Sequence, residues 1–532
     1  MFKNIFIKEN LTVYTVIFGL SLLAVMMHGY FFGVSDQEIF IPYIIKLNNP
    51  NFFGNDLLFT QSSYTSSVFY WVIANLNRFL SLQVIFIAGY FIFQSVFFHA
   101  VYRLALYLTK NKTMALASLL PFLLPKFIGG TANFTYDTFF GHRSVGTIFF
   151  IFYLTDLLKK NYIKAVLMAS IGLWFHPLSI IPNIFLLPSL IISSKNIHKF
   201  KILVHTFLIF LLFTTPFIYL SKSNVLNNFS SLFDEQWFSI IKSRDKYLFI
   251  STWSMTGWAA LGLYMVPLVI FIKNLDKYLR NTLKKVLIIS LVVFITNAFI
   301  LDVLKIPAIA QFQLVRSIMP IAYLGLILTS YLLYSKRFWQ LVPGLFAFIT
   351  LSINAFTTFL FLITIYFIFS IKTKLDTTNN LHSRLVLVAL IATVTFYFIG
   401  SSGLNLGKII NRLQFPKEKS DWINVQSWAK LNTSTQDIFL VPPDTTGFRI
   451  FSERPIIGDI KDGAAVVYSP EFAKQWYSRM SKLAGYSSFD KQQFLNLRSE
   501  LYFNYIVTKN SQILNFETVY RNPSFNVYKI DN

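Results

Sequence analysis

The chain has no cysteine, and charged residues make up only 13% of its 532 positions. Without cysteine there is no disulfide, thiolate zinc site, iron–sulfur cluster or thiol nucleophile. A soluble globular protein is about a quarter charged, so this scarcity excludes a soluble enzyme and a disordered chain. Acidic residues are scarcer than basic ones, 24 against 47, for a formal charge of +23. Also missing are an internal repeat, a P-loop, a GxGxxG after a strand, and the HExxH and GxSxG signatures, which removes the common nucleotide, zinc-protease and serine-hydrolase readings. Apolar residues, in contrast, make up 54% of the chain. At roughly 20 apolar residues per span, that is the composition of a multi-pass membrane protein. The positive balance then reads as basic cytoplasmic loops and not as a nucleic-acid site.

Apolar runs lie at Leu11–Phe32, Leu82–Thr109, Phe200–Leu220, Phe249–Ile272, Val286–Leu301, Ser317–Tyr334 and Leu385–Ser401. Six others are shorter: Thr113–Ile128, His142–Leu158, Tyr162–Phe175, Pro177–Ile192, Phe338–Ser352 and Ala355–Ser370. Several of these fall short of a full span and are expected to be tilted, re-entrant or paired across a break such as His176-Pro177, because the residue before proline disfavours helix. Together the runs predict an all-α polytopic transmembrane bundle of about 13 helices over residues 1–413. The first run follows Lys3 and Lys8 and lacks a small-residue cleavage site, so it reads as a retained signal-anchor with a cytoplasmic N-terminus.

Laying the helices alternately gathers Lys110/Lys112, Lys159/Lys160/Lys164, Lys195/Lys199/Lys201, Lys273 to Lys285, Lys336/Arg337 and Lys372/Lys374 on one side. The other side collects Asp36, Glu38, Asp56, Asp137, Asp234, Glu235, Asp245 and Asp302. Cytoplasmic loops carry the Lys/Arg excess, so the acidic loops are expected outside, and the C-terminal part with them. Residues 414–532 change in composition and predict a small extracytoplasmic α/β domain, with helices at Asp421–Leu431, Pro470–Leu483 and Asp490–Leu501 and strands at Ile438–Val441, Tyr505–Thr508 and Val527–Ile530. Richness in Lys, Asn, Ile and Phe fits an AT-rich bacterial genome and hence the cytoplasmic (inner) membrane of a bacterium.

The first outer loop, residues 33–67, contains an apolar stripe of Ile39, Phe40, Tyr43, Ile44 and Leu47, which predicts an amphipathic helix lying in the membrane interface. Ser35 and Glu38 have capping-box spacing, and Asp36 suits the positive end of the helix dipole. The functional alternative is that Asp36, with Glu38, faces a cavity at the membrane edge, where it deprotonates a hydroxyl acceptor or holds a divalent ion. Asp56, in Gly54-Asn55-Asp56, is either a turn aspartate or a further ligand-binding acid.

Outward cations break the charge rule: Lys126, Arg143, Lys242, Arg244, Lys246, Lys305 and Arg316. A charge in lipid costs on the order of 3 kcal/mol or more, so such residues either snorkel and pair locally or face a cavity and meet an anion, which Arg suits through its bidentate fork. His142 and His176, at predicted outer edges, are helix-end residues or substrate contacts; no i, i+4 His pair marks a zinc site. In the tail, Arg449, Arg454, Asp459, Lys461 and Asp462 read as a solvated charged face.

The layout resembles the GT-C class of membrane glycosyltransferases. The features that carry the resemblance are the single helix before the acid-bearing loop (Asp36, Glu38), broken helices around Phe139–Arg143 and His176-Pro177, the late Gln311-Phe-Gln-Leu-Val-Arg316, and the α/β domain that closes the chain. The tail segments Asp421–Thr433, Phe439–Pro443, Gly447–Arg454 and Asp459-x-Lys-Asp462-Gly463 are similar to a bacterial multi-pass family without an assigned activity. The GT-C resemblance implies a sugar transferred from a polyprenyl-phosphate donor to a glycan, lipid or protein acceptor on the outer face. Asp36, with Glu38, would be the catalytic base or metal-binding acid, and Arg143, Arg244 and Arg316 would hold the donor phosphate. Asp56, His142 and His176 complete the candidate substrate contacts. No cofactor is implied beyond a divalent metal ion. The competing reading is a non-catalytic transporter, flippase-like protein or glycan-binding scaffold. Against the transporter, the segments are asymmetric and the ionisable residues gather at the outer edge, without paired broken helices at the midplane.

Overall fold

The structure, a computed structural model, describes residues 2–62, 67–221, 232–334, 338–354, 358–359, 362–363, 381–402, 413–414 and 420–530. It is mostly helical, with a small C-terminal sheet. Among the described residues six helices are long and apolar enough to cross a membrane: Leu11–His28, Leu82–Thr109, Lys199–Pro216, Met255–Asn274, Lys277–Val303 and Leu314–Leu333. Four shorter apolar helices accompany them. Six such helices are fewer than the 13 expected. Proline accounts for much of the difference. Pro177 and Pro182 break the expected run 177–192 into Pro177–Ile180, Ile181–Asn183 and Leu186–Ile192. Similarly, the expected span Thr113–Ile128 holds only the helix Lys112–Ala117 and the turn Leu120–Phe122, ahead of Pro125 and two glycines. Its irregular backbone is largely buried inside the protein and bonded to itself (Ile128 N–H to Asn133 O, 2.8 Å; Thr135 N–H to Lys126 O, 2.8 Å), as buried backbone polar groups must be. The expected span over 355–370 lies largely outside the described residues, and the Lys336/Arg337 and Lys372/Lys374 clusters wholly so.

Helix α1 (Phe2–His28) ends at Gly29, whose positive φ of 86° suits a residue without a β-carbon. A two-residue strand, β1 (Tyr30–Phe31), follows. The first loop folds into α2 (Gln37–Asn48), α3 (Leu57–Gln61) and α4 (Val68–Leu76). Next come α5 (Leu82–Thr109), the hairpin α6 (His142–Leu158) and α7 (Tyr162–Phe175), α8 (Lys199–Ser221), α9 (Glu235–Arg244), α10 (Met255–Phe271) and α11 (Lys277–Ala298). Helix α12 (Met319–Leu328) lies at the centre, in a segment that is wholly buried. A β-carbon on Gly325 of α12 would overlap the Tyr264 carbonyl of α10, so the two helices touch backbone to backbone. Gly325→Ala is expected to force them apart and cost about 1–3 kcal/mol; a thermal melt in detergent that leaves the midpoint in place would refute this contact.

Strand β2 (Leu413–Gln414) returns to pair in parallel with β1. In the tail, α13 (Asp421–Asn432), β3 (Phe439–Leu440), α14 (Pro470–Lys482), α15 (Lys491–Glu500) and strands β4 (Tyr505–Lys509), β5 (Glu517–Arg521) and β6 (Phe525–Lys529) form the C-terminal unit. The sheet runs β3-β4-β6-β5, with β3 parallel to β4 and the other pairs antiparallel. Strand β5 was not anticipated because no residue in it is buried, so it offers no apolar run to read.

The sheet has apolar cores of its own. In contrast, Ile450, Val466, Val467, Phe472 and Trp476 pack into the same core as the long helices. Trp237 Nε1 donates to Val466 O at 2.8 Å and Gln311 Nε2 to Val467 O at 3.1 Å. The tail is thus seated on the helical part through one continuous apolar contact.

Candidate functional site

Helix α2 does not lie flat on a surface as its stripe suggests. Ile39, Phe40, Ile41, Pro42, Ile44 and Ile45 are all buried, because α4 and the tail segments Arg449–Ser452 and Ile460–Ala465 pack against it. Only half of the capping box forms: the Glu38 carboxylate accepts the Ser35 N–H, while no side chain caps the helix in return. Ser35 is in the left-handed region (φ 57°), and α2 begins at Gln37, whose Oε1 accepts the Gly33 N–H at 2.6 Å. Asp36 occupies the N-cap position but makes no cap bond, which leaves its carboxylate to face outward.

It faces a cavity of about 830 Å³. Lys461 Nζ, from the tail, bonds Asp36 Oδ1 at 2.8 Å, and Arg143 Nη2 lies 3.3 Å from Oδ2. Arg143, in the first turn of α6, also makes a bidentate pair with Asp137 (2.8 and 2.7 Å). Burial alone would raise the Asp36 carboxyl, but the charges of Arg143 and Lys461 and the Lys461 hydrogen bond overcome it and hold the group well below the usual carboxylate range.

The cavity wall continues with His142, 5.0 Å ring to ring from His176 and 3.4 Å from the Tyr70 hydroxyl. His176 Nδ1 meets Ser179 Oγ at 2.7 Å. A β-carbon on Gly146 would strike that of His176, so the glycine sets how closely the two histidine-bearing segments approach. Arg244, at the end of α9, pairs with Asp245 at 2.9 Å. Burial nevertheless pushes the Asp245 carboxyl up to about 6 despite the Arg244 charge. Arg316 is 6% exposed, its Nε has no hydrogen-bond partner, and no carboxylate lies within ion-pair distance of it among the described residues. In all, four cations (Arg143, Arg244, Arg316, Lys461) face three carboxylates (Asp36, Asp137, Asp245), and Arg316 is the charge left over for an anion.

Of the eight residues singled out in the sequence, Asp36, His142, Arg143, His176, Arg244 and Arg316 line this one cavity; Glu38 and Asp56 do not. Glu38 turns under the tail, its Cγ 3.4 Å from where a β-carbon on Gly447 would sit, and burial raises its carboxyl. Asp56 is fully buried. It caps α3 through the Leu58 N–H (3.1 Å), accepts the Ile456 N–H (3.0 Å) and takes both arms of Arg449 (2.7 and 3.0 Å). Arg449 then reaches Asp462 with a second fork (2.7 and 2.8 Å), with Asp459 at 4.0 Å. These tail charges are buried, not solvated. The apolar run Ala464–Val467 just after them was the signal that this face is inward. Asp459 caps the turn Ile460–Ala465 and so fixes the backbone from which Lys461 enters the cavity. Of the two readings open for Lys126, a cavity or local pairing, it takes the second, fully buried on the carbonyls of Leu124 and Ser352.

A divalent ion does not fit the donor set. Both Asp36 oxygens face cations, and among the described residues no three His, Asp or Glu side chains converge.

Residues 420–483 match a domain of unknown function, DUF6798, and that stretch supplies Arg449, Asp459, Lys461, Asp462 and Tyr468. No curated protein matches the chain.

Proposed function

We propose that this protein is a GT-C-like glycosyltransferase of the bacterial cytoplasmic membrane, multi-pass, with its N-terminus in the cytoplasm and its C-terminal domain outside. It moves a sugar from a polyprenyl-phosphate donor to a glycan, lipid or protein acceptor. A complete bundle of about 13 helices belongs to this proposal. One observation carries the reading: Asp36 and the carboxylate-free Arg316 share a cavity with three other cations. The wall includes Phe210 and Thr214 of α8, a helix only 11% buried in its apolar window, so an isoprenoid chain has a lipid-side approach. In the reaction the acceptor hydroxyl attacks the anomeric carbon and passes its proton to Asp36. The anomeric carbon–oxygen bond breaks, and the electron pair leaves with the polyprenyl phosphate, whose charge Arg316, Arg244 and Lys461 balance.

In proteoliposomes containing a polyprenyl-phosphate sugar, Arg316→Ala is expected to weaken donor retention about ten- to hundredfold, the loss of a charge-assisted contact. Unchanged retention by a folded variant would refute the phosphate assignment. The doubly paired state of Asp36 favours the second reading, a non-catalytic flippase-like protein or glycan-binding scaffold. Under that reading the donor binds but no sugar leaves it.

A further inference from the structure

A second cleft opens where α5 meets the α6–α7 hairpin. Arg143 on the first cavity and Lys159 on this cleft are separated by the length of α6, about 24 Å at 1.5 Å per residue, so the cleft lies at the far end of the helical layer. Arg103 of α5, Lys159 at the α6 terminus and Lys164 of α7 form its rim, and Phe152, Leu167 and Met168 form its floor.

Two other basic residues at this end have partners. Lys110 pairs with Asp276 at 2.7 Å, and Lys285 donates to Ser193 O at 3.0 Å. None of the three rim cations has a carboxylate within ion-pair distance among the described residues. Arg103 lies over the Phe152 ring (5.5 Å) and Lys159 over Tyr107 (5.3 Å). The one acid of the cleft, Asp156, meets Asn161 at 3.5 Å instead. Burial and the nearby Arg103 and Lys164 charges lower the Lys159 ammonium's hold on its proton, with Asp156 opposing only in part. Three like charges held together around an apolar floor are stabilised by an anion, and the floor asks for a hydrocarbon chain attached to it.

We propose that this cleft binds one anionic phospholipid, its phosphate among Arg103, Lys159 and Lys164 and its first acyl carbons along Phe152, Leu167 and Met168. The chemistry is that of basic pockets between helices that take anionic headgroups, and it is independent of the transfer reaction. Free phosphate has the same charge but no use for the floor.

The test uses the full chain in detergent, with dioleoylphosphatidylglycerol, dioleoylphosphatidylcholine and inorganic phosphate as probes and native mass spectrometry as the readout. One phosphatidylglycerol should be retained in preference to phosphatidylcholine. Retention should fall about fivefold with Arg103→Gln or Lys164→Gln and about a hundredfold with both plus Lys159→Gln. Arg103 and Lys164 are exposed, so the single variants keep the test open if the triple variant misfolds. Equal retention of both lipids, or single variants that hold phosphatidylglycerol like the parent, overturns the proposal. Displacement of the lipid by millimolar inorganic phosphate overturns it in favour of a free anion.

Discussion

Arg449→Met is expected to destabilise the protein by about 3–5 kcal/mol, the cost of removing one partner from a buried ion pair. The residue is 2% exposed and closes two forks at once, one on Asp56 in the first loop and one on Asp462 in the tail. Its loss strands Asp56, Asp459 and Asp462 as buried carboxylates and unlatches the tail from α3. A lowered thermal midpoint, with faster protease release of the tail than of the helical part, is the expected result. Lysine should not rescue the position, since a point ammonium cannot make two planar forks. A midpoint within the error of the parent would mean that the apolar seat alone holds the tail.

The same cluster has a pH signature. Burial and the neighbouring Asp462 raise the Asp459 carboxyl above its ordinary range, with Arg449 opposing. A carboxyl whose folded-state pKa is raised favours folding below its unfolded value and loses that contribution as pH rises through the raised one. Asp459→Asn keeps the Oδ1 that caps the turn but removes the charge, so its stability relative to the parent should improve toward alkaline pH.

Asp36→Asn is expected to lower sugar transfer by about 10²–10⁴-fold, the contribution of a positioned general base, while leaving donor retention within a fewfold of the parent. Because its two cations hold Asp36 ionised well below the usual range, the acid limb of the rate profile should lie below about pH 4. Lys461→Met removes one cation and leaves the burial, so that limb should move to higher pH. Asp245, pushed up to about 6, is the more basic carboxylate on the same wall. An acid limb near that value, abolished by Asp245→Asn and not by Asp36→Asn, would transfer the role to Asp245. Full transfer by a folded Asp36→Asn protein would remove Asp36 from the chemistry.

Six of the cavity residues were readable because their oddity is local: an acid just past the first helix, arginines and histidines at the ends of apolar runs. The ends of α13, α14 and α15 were readable for the same reason, from capping residues and short-range periodicity. That Glu38 and Asp56 lie away from the cavity is not legible locally, because burial depends on what covers them, and the cover comes from a tail about four hundred positions away. For the same reason Lys461 reads in the sequence as a surface charge.

By itself the sequence determined the apolar helices and the helices of the tail, since each follows from neighbours within a few turns. Only the tertiary structure decided that Lys461 meets Asp36 across 425 positions and that Arg449 meets Asp56 across 393. Such pairs exist only once burial has brought distant charges into a medium where each must find its opposite, and no local pattern records the partner.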